Sequence, residues 1–213
     1  MQADTVIFDM DGTLTDSMDF LAEGIREVAS RLAGREFSAE DASDRFGPPD
    51  FDVIAAMIER PLTVADEQLY LDHLKAQTLT AVPPIAGVSQ MLGQLQESGL
   101  RLGIYTARAL RPALVILAEM GLVDYFSTVV AGDLVAEPKP APDGLIAAMQ
   151  QMGADPARTV YVGDTAHDLQ LAQAAGVRSA LVLWARNPRR QLIGQSDVHF
   201  DDVAVFTDWV LGR

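Results

Sequence analysis

Apolar residues along this chain change their spacing at two places. Val6-Ile7-Phe8 is a short β-branched and aromatic run that breaks off into Asp9-Met10-Asp11-Gly12-Thr13. That pattern predicts a buried strand ending in a polar turn. From Asp19 to about Thr80 the apolar positions fall at helical spacing instead. Phe20, Leu21, Ile25, Val28, Ala29 and Leu32 share one stripe, with Ser17 or Asp16 as candidate caps. Gly34 and Gly47-Pro48-Pro49 punctuate further helical pieces, Val53 to Ile58 and Leu69 to Leu79, and no strand is expected in this region.

Pro83-Pro84-Ile85-Ala86-Gly87 breaks the chain, and an alternation begins. Helices are expected over Val88 to Gln96, Ala109 to Met120, Asp143 to Met152 and Ala166 to Ala175. Strands are expected over Leu102 to Tyr105, Thr128 to Ala131, Thr159 to Val162 and Ser179 to Leu183. Strands this apolar, alternating with helices, imply a parallel sheet covered on both faces. The first strand has nothing to pair with unless it joins that sheet. The expected fold is therefore α/β: a doubly wound, Rossmann-like parallel sheet with an inserted all-helical domain. Residues 1–16 and 84–213 form the core domain, and 17–83 the insertion.

Ligands of open α/β sheets bind at the carboxyl ends of the strands. Four segments occupy or closely follow such ends: Asp9 to Thr13, Thr106-Ala107-Arg108, Glu137-Pro138-Lys139-Pro140, and Gly163-Asp164-Thr165-Ala166-His167-Asp168. Composition sharpens what these ends offer. The 213 residues carry 16 Lys+Arg against 30 Asp+Glu, a net charge of −14, which argues against wrapping nucleic acid or docking on an anionic membrane. Cysteine is absent, which removes thiol nucleophiles, zinc–thiolate sites and disulfides. The start of the chain lacks a signal-peptide pattern and no apolar run spans a bilayer, so a cytoplasmic protein is expected.

In a chain with 21 Asp, a D-x-D pair is cheap, and Asp50 and Asp52 form another. Asp9 and Asp11 stand out by position, directly after a buried strand. A calcium loop does not fit, because Met18 occupies its glutamate position. Asp164 and Asp168, spaced i,i+4, can share the first turn of a helix, either as capping acids or as ligands. Four carboxylates in one cleft require a positive charge among them, and oxygen ligands alone favour Mg²⁺. Lys139 sits in a stiff proline-bracketed turn, as a positioned charge or a surface residue. Thr106 either caps a helix or helps hold an oxyanion.

Together, Asp9-Met10-Asp11-Gly12-Thr13, Thr106, Lys139-Pro140-Ala141-Pro142 and Gly163-Asp164…Asp168 stand in an order and spacing that resembles the haloacid dehalogenase-like hydrolase superfamily. The helical insertion resembles the small α-helical cap of its phosphoglycolate phosphatases and β-phosphoglucomutases. The resemblance implies that Asp9 is a nucleophile forming an aspartyl-phosphate and that Asp11 is the general acid and base. It implies that Mg²⁺ is held by Asp9, the Asp11 backbone carbonyl and Asp164, with Asp168 in support, and that Thr106 and Lys139 bind the phosphoryl oxygens. The dehalogenases of the superfamily lack the second Asp, so Asp11 favours phosphoryl transfer. Many relatives carry Asn or Gly after Thr106. Here Ala107-Arg108 follow, and Arg108 either meets the substrate or is a solvated helix-start residue.

His167 is a candidate for the cleft wall. Arg45, Phe46 and Gly47 are candidates on the cap, and Asp16-Ser17-Met18 and Pro83-Pro84 are candidate hinges. The expected activity is a Mg²⁺-dependent phosphatase acting on a small phosphorylated metabolite, as a monomer or homodimer. The alternatives are a phosphomutase using the same aspartyl-phosphate and a non-catalytic member of the superfamily.

Overall fold

The computed structural model describes residues 3–213. Among them, strands β1 (Thr5–Phe8), β2 (Arg101–Tyr105), β3 (Thr128–Val130), β4 (Thr159–Gly163), β5 (Arg178–Val182) and β6 (Val198–Phe200) form one sheet in the order β3-β2-β1-β4-β5-β6. Every neighbouring pair is parallel. The side-chain period of two sorts each central strand onto two faces. Val6, Phe8, Leu102, Ile104, Val160 and Val162 point into the larger core, with helices α5 (Val88–Glu97), α6 (Leu110–Glu119) and α9 (Val203–Leu211). Ile7, Tyr105 and Tyr161 point the other way, onto α7 (Asp143–Met152) and α8 (Ala166–Ala174). Both faces are covered, as the unbroken apolar runs required.

Between β1 and α5 lie α1 (Met18–Ala33), α2 (Ala39–Ser43), α3 (Asp50–Ile58) and α4 (Val64–Ala81), with no strand among these described residues. Phe20, Ile25, Val53, Tyr70 and Leu74 of this helical segment belong to the same continuous apolar cluster as the sheet. The chain leaves and re-enters the sheet domain side by side, since Thr15 bridges to Pro84.

Several boundaries differ from the periodicity. Helix α4 begins five residues before Leu69, where Thr63 and Asp66 form a capping box ahead of the first buried turn. Ser17 does stand at the N-cap of α1, but its hydroxyl does not cap the helix; it donates to Asp11. The edge strand β6 and helix α9, capped by Asp202, were not anticipated. In β6 an exposed His199 interrupts the short apolar run that marks the other strands.

Candidate active site

The strand order reverses direction between β1 and β4, so the crevice of a doubly wound sheet opens at their carboxyl ends. Asp9 follows β1 and Asp164 follows β4, which brings two carboxylates together at that point. The fit is close. Gly12 has φ +87°, and a Cβ there would lie 2.6 Å from Asp164 Oδ2; a Cβ on Gly163 would lie 2.4 Å from that of Asp168. Both glycines leave room for acids.

Asp164 precedes α8 rather than lying in its first turn; the capping residue is Thr165. Asp168 performs the capping that its spacing allowed, and it pairs with a lysine besides. Its Oδ2 completes the capping box, accepting from Thr165 N at 2.9 Å and Thr165 Oγ1 at 2.6 Å. Its Oδ1 accepts from Lys139 Nζ at 2.8 Å and the Tyr161 hydroxyl at 3.1 Å. Lys139 Nζ also donates to Asp9 Oδ1 at 2.5 Å and sits over the Tyr105 and Tyr161 rings, 5.0 and 5.5 Å from their centroids. The lysine is therefore no surface residue of its turn. Its ammonium lies inside, among carboxylates and aromatic faces.

Carboxylate oxygens of Asp9, Asp164 and Asp168 lie within 4.8 Å of one another. Burial drives Asp9 well above the usual carboxylate range, reinforced by Asp168 and Asp164 and opposed by Lys139. Burial, with Asp168, likewise raises Asp164 to about 7 against the pull of Arg189 and Lys139. Burial also works against ionised Asp168, but Lys139 and the Thr165 donors outweigh it and hold that carboxyl low. Asp164 Oδ1 is buried without a hydrogen-bond partner. An orphaned carboxylate oxygen in an all-oxygen cluster is the donor chemistry of a hard divalent cation, so the residues present fit Mg²⁺.

Asp11 does not join this cluster. Its carboxylate turns to Arg108, with Nε at 2.8 and 3.1 Å and Nη2 at 3.0 Å, and it also accepts from Ser17. Arg108 is only 3% exposed, which corrects the reading of a solvated helix-start arginine. Its Nη1 reaches Asp50 Oδ1 at 2.8 Å. Asp50, the first residue of α3, also accepts from Tyr70 Oη at 2.9 Å and from Ala109 N at 3.0 Å. Thr106 is buried, and its Oγ1 accepts from Arg108 N at 3.2 Å; the N-cap of α6 is Ala109, so Thr106 is not that cap.

These groups open onto a cavity of about 430 Å³ lined by Asp9, Asp11, Thr106, Ala107, Arg108, Lys139 and Asp168. His167 lines it too, although exposed, as do Phe46 and Gly47. Arg45 does not; its guanidinium donates to the Asp41 carbonyl. Sequence reasoning missed Asp50, Tyr70 and Arg189, whose guanidinium pairs with Asp164. In the sequence Asp50 is half of a commonplace D-x-D pair with Asp52. Its available signal was an acid directly after Pro48-Pro49 at a helix start.

The chain resembles several known proteins. Over 181 residues the chain is 33% identical to pyrophosphatase PpaX of Bacillus pumilus, covering 85% of this chain and 83% of the relative. It is 31% identical to a phosphoglycolate phosphatase of Neisseria meningitidis, covering 97% and 88%. A crystal structure of a predicted phosphoglycolate phosphatase from Haemophilus somnus shares the fold, with a TM-score of 0.78 at 23% identity over 98% of each chain. A family model for haloacid dehalogenase-like hydrolases matches residues 6–182, from the first strand through the last of the four strand-end motifs, and the chain belongs to that family.

Proposed function

We propose that the protein is a Mg²⁺-dependent phosphatase that hydrolyses a small phosphate monoester through an aspartyl-phosphate on Asp9. The observation that carries this reading is the buried Asp9 carboxylate, held by Lys139 at 2.5 Å beside Asp164 and Asp168 at the floor of the cavity. The names of the relatives, phosphatases and pyrophosphatases, support the same reaction class.

In the first half-reaction a carboxylate oxygen of Asp9 attacks phosphorus, the bond to the leaving oxygen breaks, and that oxygen takes a proton from Asp11. In the second, Asp11 takes a proton from water, the water oxygen attacks phosphorus, and the Asp9–phosphate bond breaks to release inorganic phosphate. Thr106 and Lys139 hold phosphoryl oxygens as negative charge shifts among them. Asp9, Asp164 and Asp168, with the backbone carbonyl of Asp11, would hold the Mg²⁺, which when bound offsets the repulsion between carboxylate and phosphate. Asp11 serves the leaving group only after it parts from Arg108, which holds both its oxygens. Residues 17–83 act as the cap that closes over the leaving group and excludes water, hinged where Thr15 meets Pro84.

The test is Asp9→Asn assayed on an aryl phosphate with Mg²⁺. The expected result is a loss of at least about a thousandfold in kcat with an unchanged circular dichroism spectrum. Undiminished turnover would exclude Asp9 as nucleophile.

A further inference from the structure

The cavity over Asp9 has two unlike walls. The floor comes from the sheet ends and carries the charges. The roof comes from the helical segment: Met18, Leu21 and Ile25 of α1, Phe46 in the loop before α3, and Asp50 and Val53 of α3. Asp50 is the one charged roof residue lining the cavity among those described, and its carboxylate is spoken for by Arg108, Ala109 N and Tyr70. The roof offers no cation.

Each Arg and Lys that lines the floor is already paired with a carboxylate, and His167, the remaining basic side chain of the lining, is exposed. Arg108 pairs with Asp11 and Asp50 and keeps Asp50 when Asp11 parts from it; Lys139 pairs with Asp9 and Asp168, and Arg189 with Asp164. A second anion on the substrate would therefore be desolvated against aliphatic and aromatic side chains without a partner. An uncharged chain there would leave water for an apolar wall instead.

We infer that the substrate is a phosphate monoester whose leaving group is uncharged and largely apolar, the phosphate being its sole anionic part. The inference rests on the phosphatase reading above and names the substrate class of that same site. It separates this chain from what its relatives are named for, since glycolate and a second phosphate are both anionic leaving groups.

The experiment compares kcat/KM across ethyl, butyl and hexyl phosphate with the carboxylate-ended partner of the butyl ester, 4-phosphooxybutanoate, and with pyrophosphate. The alkyl leaving groups have similar basicity, so chemistry is held nearly constant while the tail changes. We expect kcat/KM to rise with each added methylene, by up to about fourfold. The carboxylate-ended ester should react at least about tenfold more slowly than the butyl ester. Phe46→Ala, at a half-buried loop position, should flatten the alkyl series, and Phe46→Arg should raise turnover of the carboxylate-ended ester relative to the butyl one. Faster turnover of the carboxylate-ended ester or of pyrophosphate by the wild-type protein overturns the inference while leaving a phosphatase. So does a flat alkyl series. Release of phosphate from none of these compounds, nor from an aryl phosphate, is the distinct failure of the phosphatase reading itself.

Discussion

Replacing Asp50 by Ala tests whether the helical segment is clasped to the sheet domain through one buried charge network. Asp50 and Arg108 have side chains 1% and 2% exposed, and their 2.8 Å contact joins residues 58 positions apart. The substitution removes three hydrogen bonds at once, from Arg108 Nη1, Ala109 N and Tyr70 Oη. Deleting one partner of a buried ion pair costs about 3–5 kcal/mol, because the surviving charge stays desolvated. Arg108 keeps Asp11, which puts the expectation at the low end, about 3 kcal/mol. For a chain of this size that corresponds to a fall in Tm of roughly 6–12 °C. Asp50→Asn is not silent either: one of its two ends must present an amide donor to Ala109 N–H or to Arg108. Urea denaturation followed by circular dichroism gives the free energy, provided a single transition is seen. A cycle with Tyr70→Phe should return a coupling of about 1 kcal/mol, since the tyrosine shares Oδ1 with Arg108. A cost below about 1 kcal/mol for Asp50→Ala, in a natively folded variant, would refute the reasoning. It would mean that water replaces the carboxylate and that the network clasps nothing.

Gly12→Ala should weaken Mn²⁺ or Mg²⁺ binding by about 10–100-fold in calorimetric titration, because the new methyl group displaces Asp164 and φ +87° resists a side chain. Unchanged affinity would show that the close approach is not what aims Asp164. In EDTA, stability should fall as pH rises from about 4 to about 7. Asp9 and Asp164 are both pushed up in the folded protein, Asp164 to about 7, so the folded state binds more protons than the unfolded one across that window. The stabilisation is complete below the unfolded pKa near 4 and lost by the folded value; thermal melts at pH 5 and 7.5 that rank the other way, with EDTA present, would contradict it.

The sheet was legible because its central strands are buried on both faces and so are apolar at every position. Val6-Ile7-Phe8 and Thr159 to Val162 could hardly be anything else. One edge was not: β6 is Val198-His199-Phe200, with His199 exposed, and it pairs with β5 alone. The site divides in the same way. Asp9, Lys139, Asp164 and Asp168 announce themselves by following strands or by standing in a rigid turn, and the fold brings them together. Asp50 has only its place after Pro48-Pro49 as a local mark, and Tyr70 and Arg189 have none, because what makes the three matter is contact across 58, 20 or 25 positions of chain, which spacing cannot express. Tyr70 looks like an ordinary helix residue until its hydroxyl is found on Asp50, where burial and that carboxylate raise its pKa well above the usual phenol value.

The charges around the cavity explain why Arg108 is not free for an incoming anion. Five carboxylates, those of Asp9, Asp11, Asp50, Asp164 and Asp168, share the site with three cations, Arg108, Lys139 and Arg189. A buried deficit of two charges can be met by protons or by one divalent cation. The raised Asp9 and Asp164 are the proton answer, and the orphaned Asp164 Oδ1 suits the metal answer. Both draw on the same oxygens, so metal and protons compete there. The local field that a phosphate meets is then set by these few groups, not by the −14 of the whole chain. Arg108 has a fixed place in that balance: it neutralises Asp11 on the floor and Asp50 on the roof together. Without Arg108, Asp50 would be an unpaired charge at the apolar roof. Without Asp50, a guanidinium nitrogen would be left facing the leaving group. The arginine after Thr106-Ala107 and the aspartate after Pro49 are therefore a single device, and removing either leaves the other's buried charge with less than its full set of partners.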